Sequence, residues 1–307
     1  MIEVNIIFYA DRGEETVSLA AKRTLSRKSV EKLIFIKKDE ETNEWIIETL
    51  RRQHFSVWEF SWYVFEVSGC SRVCSHQLVR HRLASYAQLS QRYSDHMIRY
   101  VAEYAQGVSG VRCAKRDYGC YARAVRGLIE RGGDKEVLEA VEKAFVIPPT
   151  LDREKRAVVA RQYLGSVVRY YELMARGVRA EDARYALPQA VKTRILVAMN
   201  AREIMHFLGL RMCTRAQWEI RTVAWLLWRE LMKIHPRLFK WAGPRCVQVE
   251  NLVREDPRPL EDYLEGRAQF TIARCPEGVR REAIPQCLRL AASVLWNSGS
   301  ENPSDSP

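Results

Sequence analysis

The segment SVWEFSWYVFEV, residues 56–67, predicts a long β-strand that is aromatic on both faces. Side chains of a strand point alternately to its two sides, and one side here carries Val57, Glu59, Ser61, Tyr63 and Phe65. The other side carries Trp58, Phe60, Trp62, Val64 and Glu66. Aromatic and β-branched residues favour strands, and Gly69 is expected to end this one. Both faces therefore have apolar surface that can pack, including at an interface.

Further strands and helices are predicted on both sides of this segment. Alternation rich in Val and Ile predicts a strand over 3–10, and the apolar run 195–199 predicts another. Ser71 and Asn200 are expected to cap short helices. The predicted longer helices are 14–25, 44–53, 152–175 and one opened by Thr214 that runs to about His235. We therefore predict a mixed α/β (α+β) domain with a mostly antiparallel sheet flanked by long helices.

Composition narrows the classes of function. The chain has 307 residues and a formal net charge of +11, which suits anionic ligands such as nucleotides or nucleic acid. No run approaches the roughly 20 apolar residues of a membrane span. The N-terminus reads directly into a strand rather than a signal peptide. We therefore expect a cytoplasmic protein that does not contact a membrane.

The cysteines give no clear sign of a disulfide framework or a metal site. They lie at 70, 74, 113, 120, 213, 246, 275 and 287, with no CxxC pair. In a chain without a secretory signal, most cysteines are expected to be reduced and buried. The spacings Cys70/Cys74 and Cys113/Cys120 match no common zinc motif, so no metal is predicted.

The segment RHRLASYAQLSQR, residues 80–92, is a candidate anion-binding site. It concentrates three arginines, a histidine and two serines in thirteen residues, without the periodicity of a single helix face. Arginine presents a planar fork of donors that matches phosphate and carboxylate groups. Three such forks repel one another unless an anion lies among them. A basic surface patch is the simpler interpretation of an arbitrary Arg-His-Arg.

A second block of polar residues lies in the segment NAREIMHFLGLRMCTRAQWEIR, residues 200–221. It places Asn200, Arg202, His206 and Arg211 on and just past a short predicted helix. A helix N-terminus with a nearby arginine favours anions. Taken alone, Asn200 is explained by capping and Arg211 by a solvated turn.

The two blocks together resemble the signature of the flavin-dependent thymidylate synthases, which includes RHRxxSxxxxSxR. They lie about 120 residues apart in the order of that family, and His54, Gln77 and Arg184 also fall where the family places such residues. The resemblance covers about residues 1–246. The chain departs from it at Ala87 and Gln88, where many members have asparagine and glutamate.

This resemblance implies an enzyme, a methyltransferase that reductively methylates dUMP to dTMP. The carbon would come from 5,10-methylenetetrahydrofolate and the hydride from FAD, which NADPH reduces, without a cysteine nucleophile on the enzyme. It also implies the fold of that family and a homotetramer with FAD and dUMP bound where subunits meet.

The resemblance also implies site residues. Those for FAD are Ser56, Arg80, His81, Arg82, Gln88, Asn200, Arg202 and His206. Those for dUMP are Gln77, Arg80, Gln88, Leu89, Ser90, Gln91, Arg92, Arg184 and Arg211. Arg211 is the implied catalytic residue, because a permanently charged guanidinium near N3 of uracil favours negative charge on the base.

The predicted domain organisation is a synthase domain over 1–246, a C-terminal extension over 247–296 and a disordered tail over 297–307.

Other functions remain as alternatives. A basic nucleic-acid-binding protein without catalytic activity is the main one, although no such motif or continuous basic stripe is visible. A classical thymidylate synthase would need a cysteine nucleophile such as Cys287 together with a second sequence block of that family, which the chain lacks. A flavin-dependent tRNA uridine methyltransferase would need a GxGxxG loop, which the chain lacks.

Overall fold

One antiparallel sheet organises the fold. In the computed structural model, which describes residues 1–34 and 39–295, its strands are β1 (Glu3–Tyr9), β2 (Trp62–Ser71), β3 (Ala84–Gln88) and β4 (Lys192–Asn200). They pair in the order β1-β2-β4-β3, each pair antiparallel. This confirms the predicted mixed fold with an antiparallel sheet. Strand β3, at the edge of the sheet, lies within the arginine-rich segment and was not predicted.

The predicted strand over 56–67 is wrong in its first half. Residues Phe55–Phe60 form a 3₁₀ helix, and β2 begins only at Trp62. The 3₁₀ helix buries Trp58 completely, and the indole Nε1 donates a hydrogen bond of 2.9 Å to Thr49 Oγ1. Alternating aromatic residues do not distinguish this turn from a strand, because both bury every second or third side chain.

Gly69 does not end β2 but lies at an irregularity within it. The pairing of β2 with β4 shifts between Ser68 and Cys70, where Gly69 has φ of 74°. A β-carbon at this position would lie 2.1 Å from the carbonyl oxygen of Met1. Only glycine accepts this conformation and this close backbone approach without strain.

Helices cover one face of the sheet, and further helices lie beyond it. In the first half of the chain they are α1 (Gly13–Leu25), α2 (Val30–Ile34), α3 (Asp39–Arg51), α4 (Arg72–Leu78), α5 (His96–Ser109), α6 (Tyr118–Arg131) and α7 (Asp134–Ala144). The second half has α8 (Arg153–Ala175), α9 (Ala180–Ala183), α10 (Ala201–Arg211), α11 (Trp218–Ile234), α12 (Pro236–Phe239), α13 (Arg245–Val253), α14 (Leu260–Leu264) and α15 (Ile284–Ala292).

The predicted helix caps Ser71 and Asn200 are confirmed, Asp152 is a further cap, and the cap predicted at Thr214 is wrong. The side chains of Ser71, Asp152 and Asn200 accept hydrogen bonds from the first turns of α4, α8 and α10. Thr214 was expected to cap α11, but the cap is Gln217, whose Oε1 accepts from the backbone N–H groups of Glu219 and Ile220. Residues 212–217 instead form the turn that connects α10 to α11.

Buried apolar residues form two clusters. The larger joins the inner face of the sheet to α1, α3, α10 and α11, and it includes Leu260, Tyr263 and Ile284 from the C-terminal part. The smaller lies within α5–α8 and reaches the sheet at Val191. The region 101–150, for which the sequence suggested no role, therefore belongs to a helical layer with its own core. The tail predicted to be disordered, 297–307, lies outside the described residues.

A buried carboxylate holds two segments of the C-terminal extension together. Glu250 in α13 has no exposed surface, and it accepts hydrogen bonds from the backbone N–H groups of Thr271 at 2.9 Å and Ile272 at 3.0 Å. Thr271 Oγ1 donates at 2.8 Å and Arg254 Nη1 at 3.3 Å. Residues 271–272 are thereby held against α13.

Cys113 and Cys120 form a disulfide that was not predicted. The bond spans the connection between α5 and α6. The other six cysteines are free, as expected of most of them, but only Cys70 and Cys74 are fully buried. No helix in residues 1–34 or 39–295 is both long enough and apolar enough to cross a membrane.

We expect Ser71→Ala to destabilise the fold. Ser71 Oγ caps α4 and donates 2.7 Å to Glu219 Oε1, a carboxylate that is buried, so the variant loses a cap and leaves a buried acceptor short of one donor. The free energy of unfolding should fall by about 1–3 kcal/mol, measured by urea denaturation at fixed protein concentration. Ser68→Ala is the control, since Ser68 Oγ makes only a 3.4 Å contact with Glu3 at the surface. Equal stability of the two variants would contradict the role given to Ser71.

Candidate functional site

The two sequence blocks meet in one hydrogen bond. His81 lies in the turn between α4 and β3, Arg211 is the last residue of α10, and Arg211 Nε donates to His81 Nε2 over 3.1 Å. His81 is 4% exposed, and its ring packs edge-on against Phe207, with the centroids 4.9 Å apart. The fold therefore brings together the residues that the sequence separates by 130 positions.

His81 is held in its neutral form. Burial, followed by the charges of Arg211 and His206, lowers the pKa of His81 to about 4. Because Nε2 accepts a hydrogen bond, the ring proton is on Nδ1. Nδ1 is buried and lies 3.6 Å from Glu203 Oε1, too far for a hydrogen bond. The two side chains do not form an ion pair at neutral pH, and the buried N–H of His81 is left for another acceptor.

A cavity of about 240 Å³ opens beside this contact, between α10 and the C-terminal part. Arg202 and His206 line it together with the aromatic rings of Phe55 and Trp241. Arg202 Nη1 also donates 2.5 Å to Glu59, and the His206 ring lies 5.7 Å from that of His81. The guanidinium of Arg202 and the imidazole of His206, beside the flat aromatic rings of Phe55 and Trp241, suit a ligand that carries both aromatic rings and phosphate.

Two further residues of the proposed flavin set have different surroundings. Ser56 is exposed in the 3₁₀ helix directly after Phe55, next to this cavity. Asn200 is buried, and its Oδ1 accepts from Glu203 N over 2.9 Å. The side-chain carbonyl of Asn200 is therefore used to cap α10.

A second group of residues collects where β3 ends. Leu89, Gln91 and Arg184 line one small cavity, and Arg72 lines it with them. Arg92 Nε donates a hydrogen bond of 3.1 Å to the side-chain carboxylate of Glu181. Arg184 Nε donates one of 3.0 Å to the backbone carbonyl of the same residue. Ser90 Oγ accepts from the backbone N–H of Arg92. The structure thus assembles most of the proposed dUMP residues at one place.

Arg72 belongs to this group, and the sequence did not single it out. Its Nη2 donates 2.6 Å to the carbonyl of Leu89, but its Nε is buried without a partner among the described residues. Burial and the charge of Arg184 lower the pKa of Arg72. Two like charges beside an unused buried donor favour binding of an anion between them. The sequence offered one indication of this role, because Arg72 directly follows the cap Ser71 at the start of a short helix.

The remaining proposed residues do not converge within one chain. Arg80 and Arg82 are exposed, and Gln77 is half-buried on α4. The amide nitrogen of Gln88 is used internally, donating 2.8 Å to Ser75 Oγ and 3.2 Å to Thr193 Oγ1. This leaves Arg80 and Arg82 available to a ligand or a neighbouring subunit, and Gln88 positioned by the fold.

Glu203 was also missed among the candidate site residues. It was predicted only as a capping glutamate, but its carboxylate turns towards His81. Burial raises the pKa of Glu203, while the charges of His206 and Arg202 oppose this shift. Glu203 therefore acts on His81 electrostatically, from 3.6 Å away. Its spacing in the sequence shows only that it lies in the first turn of α10.

The chain is similar to known proteins along most of its length. A family model described as "Thymidylate synthase complementing protein" matches residues 5–237. A flavin-dependent thymidylate synthase of Aeropyrum pernix is 51% identical over 306 aligned residues, covering 95% of this chain and 94% of that protein. One from Sulfolobus acidocaldarius is 37% identical and covers 96% of each chain.

A solved structure shares the fold. The flavin-dependent thymidylate synthase ThyX from Helicobacter pylori, crystallised with FAD and dUMP, superposes with a TM-score of 0.57 at 23% identity. The match covers 78% of this chain and 99% of that one, so part of the present chain has no counterpart there. Since the family match spans most of the chain and the Aeropyrum relative is 51% identical along nearly all of it, this chain belongs to the flavin-dependent thymidylate synthase family of enzymes.

Proposed function

We propose that the protein methylates dUMP reductively to dTMP, with 5,10-methylenetetrahydrofolate as the carbon donor and FAD, reduced by NADPH, as the source of hydride. The observation that carries the proposal is the bond from Arg211 to neutral His81, which unites the two family blocks in one partly buried site. Family membership supports the reaction class, and the geometry supports the roles proposed for the residues.

The residues of the α10 cavity fit FAD. Arg202 and His206 offer donors to phosphate or ring nitrogens, and Phe55 and Trp241 offer flat apolar contacts. The buried Nδ1–H of His81 has no hydrogen-bond partner among the described residues, with the Glu203 carboxylate 3.6 Å away. Ser56, Arg80, Arg82, Gln88 and Asn200 complete the set implied by the family. Bound and reduced, FAD supplies the hydride for the reaction.

Arg211 is the proposed catalytic residue. Burial lowers the pKa of its guanidinium, the charge of Cys74 opposes this shift, and the group nevertheless stays charged at neutral pH. Its Nε is fixed by neutral His81, so its two terminal nitrogens are free to face a pyrimidine. A preorganised positive charge stabilises negative charge on the uracil as its C5 becomes nucleophilic. In this way the base is activated without an enzyme thiolate.

The dUMP phosphate is proposed to bind at the end of β3. Arg92 and Arg184 meet at Glu181, and Arg72 brings an unpartnered buried donor to the same cavity. Ser90 would add a hydroxyl, and Gln91 with Leu89 would contact the nucleotide beside it. Gln77, Arg80 and Gln88 would contact its sugar and base.

A homotetramer with shared sites is part of the same proposal. The outer face of the sheet exposes large apolar side chains, with Trp62 49% and Leu196 41% exposed. Such a face favours burial against another subunit. The exposed Arg80 and Arg82 would then complete a neighbouring subunit's flavin site. The cytoplasmic location and the division into domains at residue 246 stay predictions.

We expect Arg82→Ala to lower FAD occupancy more than folding stability. Arg82 is exposed and makes no hydrogen bond or ion pair within the described chain, so its removal costs the fold little. Loss of one charged contact to FAD should weaken binding by about 2 kcal/mol, measured by flavin titration of the apoprotein. Arg153→Ala at the exposed start of α8 is the control. Wild-type protein that fails to bind FAD at all would refute the cofactor assignment.

Arg211→Ala should chiefly slow the step that follows flavin reduction. Removing one preorganised electrostatic contact costs on the order of 3 kcal/mol, about a hundredfold in rate. Arg211→Lys keeps the charge but loses the planar fork, so it should restore only part of the rate. The measurement is single-turnover oxidation of reduced flavin at saturating dUMP and methylenetetrahydrofolate. Near-normal rates in Arg211→Ala would remove this residue from the chemistry.

Arg92→Ala should weaken dUMP binding with little effect on the saturated single-turnover rate, because a phosphate contact acts equally in ground and transition states. Arg179→Ala is a matched control, since Arg179 Nη2 pairs with the same Glu181 carboxylate at 2.6 Å but lies outside the proposed site. Isothermal titration with dUMP gives both affinities. If both variants lose affinity equally, the contact with Glu181 matters and the proposed phosphate contact does not.

A further inference from the structure

Four of the free cysteines line one cavity, and the proposed chemistry uses none of these thiols. The cavity has a volume of about 250 Å³ and lies between the turn after α10 and the C-terminal extension. We call it the four-cysteine cavity; its cysteines are Cys213, Cys246, Cys275 and Cys287. They come from four separate segments, namely the turn after α10, the start of α13, the loop before residue 279, and α15.

Two of the segments that carry these thiols meet at the cavity. Thr214 Oγ1, in the turn that also carries Cys213, lies 3.1 Å from Cys287 Sγ in α15. All four cysteines line the same space, and a thiol that ligates a metal does so as the thiolate.

The surroundings of the cavity are positively charged. Arg211, Arg215 and Arg245 line it. Next to it, Arg221 donates from Nη1 to the carbonyls of Thr214 and Ala216, while its buried Nε has no partner among the described residues. Burial lowers the pKa of Arg221, and the charges of two of the thiols oppose this. A buried guanidinium with an unused donor indicates that an anionic group with hydrogen-bond acceptors belongs beside it.

A single metal ion does not fit this geometry. Zinc binds thiolates at about 2.3 Å, which draws all four sulfurs around one point. In residues 1–34 and 39–295, no group of three or more His, Cys, Asp or Glu side chains is placed to hold one ion. A water molecule takes up about 30 Å³ in the liquid, so the cavity of about 250 Å³ has room for several heavy atoms.

We propose that the four-cysteine cavity binds a [4Fe–4S] cluster, with one thiolate ligand from each cysteine. Such a cluster holds its ligands farther apart than one ion does, and its sulfides accept hydrogen bonds. Each thiol releases one proton to solvent as its sulfur–iron bond forms. A [4Fe–4S]²⁺ core with four thiolates has a net charge of −2, which Arg215, Arg221 and Arg245 offset, with Glu277 as the carboxylate in the lining. The proposal does not depend on the thymidylate chemistry.

The cluster would fasten the extension to the body of the protein. Three of its ligands lie beyond residue 237, where the family match ends, and the fourth follows Arg211 by two positions. Metal ligation would thereby tie the C-terminal segments to the turn that carries the proposed catalytic arginine, as metal sites do when binding is coupled to folding.

The test uses the full-length, FAD-loaded protein under anaerobic conditions. It is incubated with ferric iron, sulfide and excess dithiothreitol, which supplies the two electrons that convert four Fe³⁺ to the mixed-valence core, and is then desalted. We expect about four iron and four acid-labile sulfide per chain. Dithionite-reduced protein should give the electron paramagnetic resonance signal of a reduced cluster at low temperature. This signal is distinct from that of flavin, whose visible absorption overlaps the cluster's.

Variants separate a built site from nonspecific iron. Cys246→Ser and Cys287→Ser should lose the iron, the sulfide and the resonance signal, whereas Cys70→Ala should keep all three, because Cys70 is buried in β2 outside the cavity. Circular dichroism and FAD content establish that each variant is folded. The wild-type result decides the matter even if the serine variants do not fold. Absence of bound iron and sulfide, one tightly held zinc per chain, or disulfides among the four cysteines by mass spectrometry would each overturn the proposal.

Discussion

The hydrogen bond between Arg211 and His81 is the contact on which the site depends. Each residue alone is unfavourable where it lies, because one is a half-buried cation and the other a buried imidazole beside that cation. The arrangement is stable only if the imidazole stays neutral and accepts from the guanidinium. Neutral His81 therefore orients Arg211 without cancelling its charge. A carboxylate in the place of His81 would hold the arginine more firmly and weaken its field at the substrate.

Much of the fold was predictable because its signals are local. A cap acts within three residues, so Ser71 and Asn200 were identified from their own neighbourhoods. The same reasoning failed at Thr214 and at residues 56–60, where tertiary burial decides between two locally acceptable conformations. The Cys113–Cys120 disulfide was likewise missed, since pairing of cysteines depends on how the chain folds between them.

The candidate site was predictable in its parts but not in its arrangement. Resemblance named Arg92, Arg184 and Arg211, and the fold places the first two together at Glu181. It did not name Arg72, whose significance arises only when an unpaired buried nitrogen is found beside another arginine. Motif reasoning finds residues that a family shares by position, whereas burial and unmet hydrogen bonds find residues by physical need.

The buried carboxylate of Glu250 makes the packing of residues 271–272 against α13, within the C-terminal extension, a proton-linked equilibrium. Burial alone raises the pKa of Glu250, but hydrogen bonds from Ile272, Thr271 and Arg254 outweigh it and leave the pKa below its usual value. A carboxyl group with a lowered pKa stabilises the folded state above its unfolded pKa of about 4.3, and this contribution is lost as the pH falls through the folded value. Acid therefore removes the acceptor that holds residues 271–272 against α13. Acidification below the unfolded pKa of about 4.3 would therefore loosen residues 271–272 from α13 as a local opening of the extension.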